Sequence, residues 1–208
     1  IKDSKAQGTG LVLRDLAGDL YHQIDTHFGN VQSFAFNRCG VLLAMTIDAE
    51  DKSGNGVQVY DCHSGILRTL DSSERSYSNL TWRKDADDLA VLVEFPHEEK
   101  EDATFAVHAW RGLQETIPIG KSPKKFQYDP ATQEKHPTDL RIVSAAGLRW
   151  SDDGETLFFG LKPWDKKPKN YGKSRAELAK EKLTKAKDDK SNSDKSDPKT
   201  NPEAAKAD

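Results

Sequence analysis

The chain has 208 residues with a formal net charge of −3, from 31 Lys and Arg against 34 Asp and Glu. This balance lacks the strongly basic face of a nucleic-acid-binding protein, so no nucleic acid partner is expected. No run of 18 or more apolar residues occurs, so no membrane span is expected. A chain of this length suits one large domain or two small ones.

The first residues, IKDSKAQGTG, have no initiator Met and no apolar signal region. We therefore expect a fragment of a longer protein, with residues 1–8 as the remnant of a preceding segment. Beyond them, three segments each predict two strands joined by a tight turn: 11–24, 57–70 and 106–119. The last of these is expected to turn at Arg111-Gly112.

Three further segments share another pattern, an apolar strand ending in an aromatic residue, a polar turn and a second apolar strand: 33–46, 79–92 and 147–160. Their aromatic residues are Phe36, Trp82 and Trp150, and the first two are 46 residues apart. Asp15 and Asp61, from the other pattern, are also 46 residues apart. Two independent spacings therefore define one internal repeat of 46 residues. Repeats of about this length are typical of folds built from repeated structural units.

Each repeat holds four short strands, which is typical of the blade of a β-propeller. In the second full unit the strands are predicted near 79–83, 89–94, 105–110 and 114–117. One such sheet cannot bury both faces alone, so neighbouring blades must stack. The apolar residues expected between blades are Phe34, Phe36, Leu80, Trp82, Leu148 and Trp150.

The predicted fold is therefore all-β. Residues 9–162 are expected to form an incomplete β-propeller of four-stranded antiparallel blades, with half a blade, two full blades and the start of another. This number of blades cannot close a ring, so we expect open sheet edges.

Two segments depart from the repeat. Trp150 follows Trp82 by 68 residues, and the excess lies in 120–146, whose prolines predict an inserted loop with one extra hairpin. From 163 to 208, charges of both signs and scattered prolines predict a disordered, low-complexity insert or tail. Within that segment, 174–187 has the composition of a marginal solvated helix.

The motifs of common catalytic sites do not occur. The chain contains no G-x-S-x-G nucleophile elbow, so by itself it is not expected to be an enzyme. His97-Glu98-Glu99 begins like a zinc-binding helix, but Glu101 stands where the second histidine belongs. No catalytic, cofactor-binding or metal-binding residue is assigned, and no cofactor is expected.

Carboxylates recur at the predicted turns: Asp15, Asp61, Asp85, Asp152 and Asp153. A pair of them could serve as catalytic acid and base. Repetition at equivalent turns favours a structural role instead, in which the carboxylate accepts hydrogen bonds from backbone N–H groups.

Four other residues could carry a modification, a crosslink or a ligand. Cys39 and Cys62 are expected in turns of one blade as free thiols, with a disulfide as the alternative. Asn79 begins a glycosylation sequon, but it also begins a predicted strand, which argues against a glycan. His108 is expected to pack within its strand.

Three stretches resemble a known protein family: SERSYSNLTWRKDADDLAVLVEF, the later AGLRWSDDGETLFFGLKP, and the Lys/Pro/Asp-rich segment that follows it. Over 9–162 the chain resembles the N-terminal β-propeller region of bacterial prolyl-oligopeptidase-family serine peptidases, and more broadly TolB-type, WD-like propeller repeats. In that family the propeller caps an α/β-hydrolase domain with a Ser-Asp-His triad and admits short or unfolded peptides. No triad residue has a match here. Dipeptidyl-peptidase relatives hold the substrate's amino terminus with a glutamate pair, but the residues flanking Glu98-Glu99 do not match that motif.

The resemblance implies a non-catalytic propeller portion of a serine peptidase, gating peptide access to a hydrolase domain absent from this chain. The expected partners are a C-terminal α/β-hydrolase domain of the same full-length chain and a peptide substrate. The alternative is a TolB-like or WD-like propeller that acts as a protein-binding scaffold. The compartment stays open, with a periplasmic or secreted location favoured over a cytoplasmic one.

Overall fold

The structure is a computed structural model, and it describes residues 10–14, 21–24, 29–49, 52–97, 100 and 102–165. The chain divides into two units, 1–166 and 167–208, and every described residue belongs to the first. In chain order the described elements are β1 Leu11–Arg14, β2 Tyr21–Ile24, β3 Gly29–Phe36, β4 Leu42–Ala49, β5 Gly56–Asp61, β6 Leu67–Ser72, β7 Tyr77–Trp82, β8 Leu89–Phe95, β9 Thr104–Trp110, α1 Leu113–Thr116, β10 Lys125–Tyr128, β11 Leu140–Trp150 and β12 Leu157–Pro163.

The strands form four antiparallel sheets. The N-terminal hairpin is β1–β2, the first sheet is β3-β4-β5-β6, the second sheet is β7-β8-β9-β10, and the C-terminal hairpin is β11–β12. The prediction of an all-β chain with four-stranded antiparallel sheets is confirmed. The described residues do not form a closed propeller ring.

The repeat found in the sequence is reproduced in the strand pairing. Three aromatic residues lie opposite three leucines: Phe36 opposite Leu43, Trp82 opposite Leu89, and Trp150 opposite Leu157. Equivalent hydrogen bonds close the three turns, each from an amide N–H to the carbonyl five residues later: Asn37 to Leu42 at 2.9 Å, Arg83 to Asp88 at 2.8 Å and Ser151 to Thr156 at 2.9 Å. These hairpins are therefore one structural unit used three times.

The sheets stack face to face and bury three apolar layers. One layer lies between the first and second sheets and includes Leu42, Val59, Leu89 and Trp110. A second joins the second sheet to the C-terminal hairpin, and a third joins the first sheet to the N-terminal hairpin. Strand β8 is covered on both faces, which explains its nearly continuous apolar sequence, LAVLVEF.

A hydrogen bond recurs between the first strands of successive units. The indole Nε1 of Trp82 donates to the carbonyl of Ala35 at 2.9 Å, and that of Trp150 donates to the carbonyl of Thr81 at 3.3 Å. Each acceptor immediately precedes the aromatic residue of its own strand. The second sheet therefore stacks on the first in the same way as the C-terminal hairpin stacks on the second.

The fourth strand of the second sheet is not where the repeat predicts it. Residues 114–117, expected to be a strand after a turn at Arg111-Gly112, lie largely in α1. Gly112 adopts a left-handed φ of +64°, and Leu113 and Ile117 are both fully buried. Apolar residues four positions apart lie on one face of a helix, so a helical turn buries both of them.

The segment 120–146 was expected to be an inserted loop with one extra hairpin, and this is wrong. It supplies β10, the outer strand of the second sheet, and the first residues of β11. The strand β10 pairs with β9 from Lys125 opposite Trp110 to Tyr128 opposite Val107. Of the expected tail, only residues up to 165 are described, and β12 continues to Pro163. The remnant 1–8 and the helix at 174–187 lie outside the described residues.

Two of the residues expected between blades are exposed. Phe34 is 57% and Phe36 is 43% exposed, whereas Leu148 is buried and Trp82 packs against the layer between the two sheets. Leu11 and Leu13 of the N-terminal hairpin pack against the buried layer of the first sheet together with Val31 of β3. Phe34 and Phe36 are not among the residues of that layer.

Candidate functional site

A polar cluster lies between the first and second sheets, within an otherwise apolar layer. Asp71, at the end of β6, accepts hydrogen bonds from three residues of the second sheet. Its Oδ2 lies 2.8 Å from Nδ1 of His108 and 3.1 Å from the hydroxyl of Tyr77, and its Oδ1 lies 2.9 Å from Nζ of Lys125. The Tyr77 hydroxyl also lies 2.9 Å from Oγ of Ser73.

The cluster keeps its carboxylate charged and its phenol protonated. Burial alone would raise the pKa of Asp71, but hydrogen bonds from His108 and Lys125 outweigh it and lower the pKa to about 2. Burial, reinforced by the negative charge of Asp71, raises the pKa of Tyr77 to about 12. At neutral pH Asp71 is therefore an anion held between two nitrogen donors and a phenol.

An Asp-His pair is two thirds of a nucleophilic triad, and the third member would sit against Nε2 of the imidazole. His108 is 6% exposed, and its Nε2 has no hydrogen-bond partner among the described residues. The nearby hydroxyl of Ser73 is bonded to Tyr77 instead. The cluster is therefore a buried set of hydrogen bonds that connects two sheets. It contains no activated nucleophile in the described part of the chain.

A groove of about 540 Å³ opens at one end of the two sheets, where the loops after β4, β6 and β8 meet. It is lined by Lys52, Ser73, Glu74, Arg75, Ser76, Glu94 and Pro96. The guanidinium carbon of Arg75 lies 3.7 Å from the ring centroid of Phe95. The fully buried Asn55 donates to the carbonyl of Arg75 at 3.2 Å, which ties the loop after β4 to the loop after β6.

A smaller groove of about 280 Å³ lies beside the first, and both are lined by Ser76. Its other walls come from β3, β4 and β7: Gln32, Ser33, Asp48, Tyr77, Ser78 and Asn79. Asn79 sits in a β-bulge with a left-handed φ of +53°, and its Nδ2 donates to the carbonyl of Ser144 at 2.6 Å. The amide nitrogen of the sequence motif for glycosylation is therefore engaged within the fold.

Two of the described turn carboxylates, Asp61 and Asp153, accept hydrogen bonds from backbone amides, which is the structural role expected of them. Burial would raise the pKa of Asp61, but bonds from the Ser64 hydroxyl and from the backbone amides of His63 and Ser64 lower it. The Ser151 hydroxyl and the Glu155 amide lower the pKa of Asp153 in the same way.

The remaining turn residues do not converge on a site. Asp85 adopts a left-handed φ of +64° and pairs with Arg38 at 2.6 Å, and Asp152 lies in its predicted turn. Asp15 and the pair Glu98-Glu99 lie outside the described residues.

The two cysteines are free thiols. Cys39 is exposed, with its Sγ 3.2 Å from Oε1 of Gln114. Burial, followed by the charge of Asp61, raises the pKa of the Cys62 thiol, so this residue lacks the lowered pKa of a reactive thiolate. Among the described residues, no group of three or more His, Cys, Asp or Glu side chains is placed to hold a metal ion.

Sequence reasoning missed the Asp71 cluster. Its members come from four strands, and the two closest partners, Asp71 and His108, are 37 residues apart. The one available signal was a histidine inside a strongly apolar strand, because a buried imidazole requires a polar partner.

No protein-family model matches the chain, and no curated protein matches it in sequence. No helix within the described ranges is long and apolar enough to cross a bilayer.

Proposed function

We propose that the chain is a non-catalytic part of a β-propeller that binds peptides and gates their access to the active site of a prolyl-oligopeptidase-like serine peptidase. The observation that carries this proposal is the repeated stacking of units. The bonds from Trp82 to Ala35 and from Trp150 to Thr81 repeat one contact between successive first strands. A contact that repeats from sheet to sheet is what radial stacking of blades requires.

The groove at the end of the two sheets supports peptide binding. Its lining places two cations, Lys52 and Arg75, beside two carboxylates, Glu74 and Glu94. An unfolded peptide presents both a cationic amino terminus and carbonyl or carboxylate acceptors, so a groove of mixed charge complements it. Ser73 and Ser76 add hydroxyl groups that can donate to or accept from a peptide backbone.

That the chain is non-catalytic is part of the proposal, and two observations motivate it. The sequence has no nucleophile elbow. In the Asp71–His108 pair, the imidazole Nε2 faces no hydroxyl or thiol among the described residues.

The test is a peptide-binding and hydrolysis assay on the purified chain. We expect no hydrolysis of peptide substrates, no reaction with a serine-directed fluorophosphonate probe, and weak binding of unstructured fluorescent peptides. Arg75→Glu should abolish binding, because it leaves Lys52 as the one cation of the groove lining against three carboxylates. The matched control is Lys121→Glu, an exposed charge reversal after α1, which should leave binding unchanged.

Hydrolysis together with labelling of a serine would overturn the proposal. Binding of folded proteins but not of unstructured peptides would support the scaffold alternative instead. Loss of peptide binding in both variants would mean that net charge, and not the groove, is responsible.

A further inference from the structure

Arg75, in the lining of the larger groove, is fixed through its backbone on both sides. Its amide N–H donates to Oγ of Ser73 at 3.1 Å, and its carbonyl accepts from Nδ2 of Asn55 at 3.2 Å. Asn55 is fully buried, and its own carbonyl accepts from the amide of Ser73 at 3.1 Å. The loop after β6 is therefore positioned before any ligand arrives, and a preformed loop loses less entropy on binding.

The side chain of Arg75 is also held in place, and its hydrogen-bond donors stay accessible. The guanidinium carbon lies 3.7 Å from the ring centroid of Phe95, at the end of β8. A ring in this position covers one face of the guanidinium, whereas the N–H donors lie in its plane and point outward from its edge. Because Arg75 is exposed in the groove, these donors are open to a ligand.

The guanidinium of Arg75 has no carboxylate partner among the described residues. Four other arginines each pair with a carboxylate of the fold: Arg38 with Asp85, Arg83 and Arg111 with Asp88, and Arg141 with Asp102. Charge-assisted hydrogen bonds to an anion are the strongest that a guanidinium makes. A positioned guanidinium without such a partner in the fold is therefore suited to an anion from outside it.

The other charges of the groove limit which anion fits. Lys52 adds a second cation, and it forms no ion pair with a described carboxylate. Glu74 and Glu94 place two negative charges in the same lining. These two carboxylates would repel a polyanion such as a nucleic acid or a polyphosphate, whereas one carboxylate on an otherwise uncharged or cationic peptide is compatible with all four charges.

We propose that Arg75 binds a carboxylate of the peptide through two parallel hydrogen bonds from the edge of its guanidinium. The planar fork of arginine matches the two oxygens of a carboxylate, and a lysine ammonium does not. The α-carboxylate at a peptide C-terminus and the side chain of an aspartate or glutamate present the same pair of oxygens, so either can be the bound group. This inference rests on the peptide binding of the proposed function, and it names the group of the peptide that the groove recognises.

The experiment measures the binding of four matched peptides to the full 208-residue chain by fluorescence anisotropy. The peptides are short, unstructured and labelled at the centre, and they combine a free or amidated C-terminus with an internal glutamate or glutamine. We expect wild-type binding to weaken about tenfold or more when the recognised carboxylate is removed, and the peptide that loses affinity identifies its source. In Arg75→Gln the same change to the peptide should have no effect, because the residue that binds the carboxylate is gone. Arg75→Lys keeps the charge but not the planar fork, so it should retain only part of the effect.

Two charge-matched variants are the controls. Lys52→Gln removes one positive charge from the same groove, and Lys121→Gln removes one from an exposed position after α1. In both, removing the carboxylate from the peptide should still weaken binding. An effect that persists in full in Arg75→Gln or Arg75→Lys, or that disappears in Lys52→Gln, would overturn the inference. Equal binding of all four peptides by the wild-type chain would overturn it too and leave the proposed function standing, whereas no binding of any peptide would overturn both.

Discussion

Replacing Asp71 with asparagine removes the negative charge at the junction of the first two sheets while keeping the size of the side chain. The carboxylate accepts from His108, Lys125 and Tyr77 at 2.8 to 3.1 Å. The asparagine side chain would retain one acceptor oxygen and would point an amide donor towards groups that are already donors. The variant should therefore lose most of the charge-assisted part of the cluster.

The magnitude follows from the pKa of Asp71, which folding lowers from 3.8 to about 2. A carboxyl with a depressed pKa stabilises the fold fully above its unfolded value and loses that contribution as the pH falls through the folded value. The shift corresponds to about 2 kcal/mol at pH 7 and to about half of that at pH 3. The Asp71 side chain is 17% exposed, so solvent screens this interaction only modestly.

Urea unfolding of wild-type and Asp71→Asn protein at pH 7 and pH 3 measures the effect. We expect the variant to be less stable by about 2 kcal/mol at pH 7, with the difference shrinking towards pH 3. Asp85→Asn is the matched control, because its pair with Arg38 is exposed and should contribute under about 1 kcal/mol. Equal stability of Asp71→Asn and wild type at pH 7, or a difference that does not change with pH, would refute the electrostatic role of the cluster.

Two further predictions concern the stacking of the sheets and the turns, and urea unfolding measures both. Trp82→Phe removes the indole bond to the first sheet and some buried volume, so it should cost about 1–2 kcal/mol; an unchanged stability would mean that this bond does not hold the sheets together. Gly154→Ala should cost about 1 kcal/mol more than Gly40→Ala. Both glycines have a left-handed φ, +74° and +71°, but a Cβ on Gly154 would lie 1.7 Å from Nη1 of Arg83, whereas Gly40 faces open space. Equal costs would show that Arg83 moves aside freely.

The hairpins could be predicted from the sequence because their determinants are local. The alignment of Phe36, Trp82 and Trp150 placed three turns that the structure closes with equivalent hydrogen bonds. The carboxylates of Asp61 and Asp153 accept backbone amides within three residues, a tendency that belongs to aspartate in turns. Because these interactions span so few residues, the residue types that make them recur at regular spacings in the sequence.

Features that depend on contacts between distant segments of the chain could be found only in the tertiary structure. Residues 113–117 carry too few apolar positions to separate a strand from a helix, and the helix prevails because Leu113 and Ile117 both reach the layer between the sheets. The outer strand β10 then comes from a segment whose sequence resembles a loop.

The Asp71 cluster likewise could not be predicted from the sequence, because its residues are distant from one another along the chain. Asp71, His108 and Lys125 lie on three different strands, and only the stacking of one sheet on another places a carboxylate against an imidazole and an ammonium group. By itself the sequence determined the repeating unit, since strand alternation and turns are local properties of the chain. Which faces meet, and which stay open, followed from packing between units that are distant in sequence.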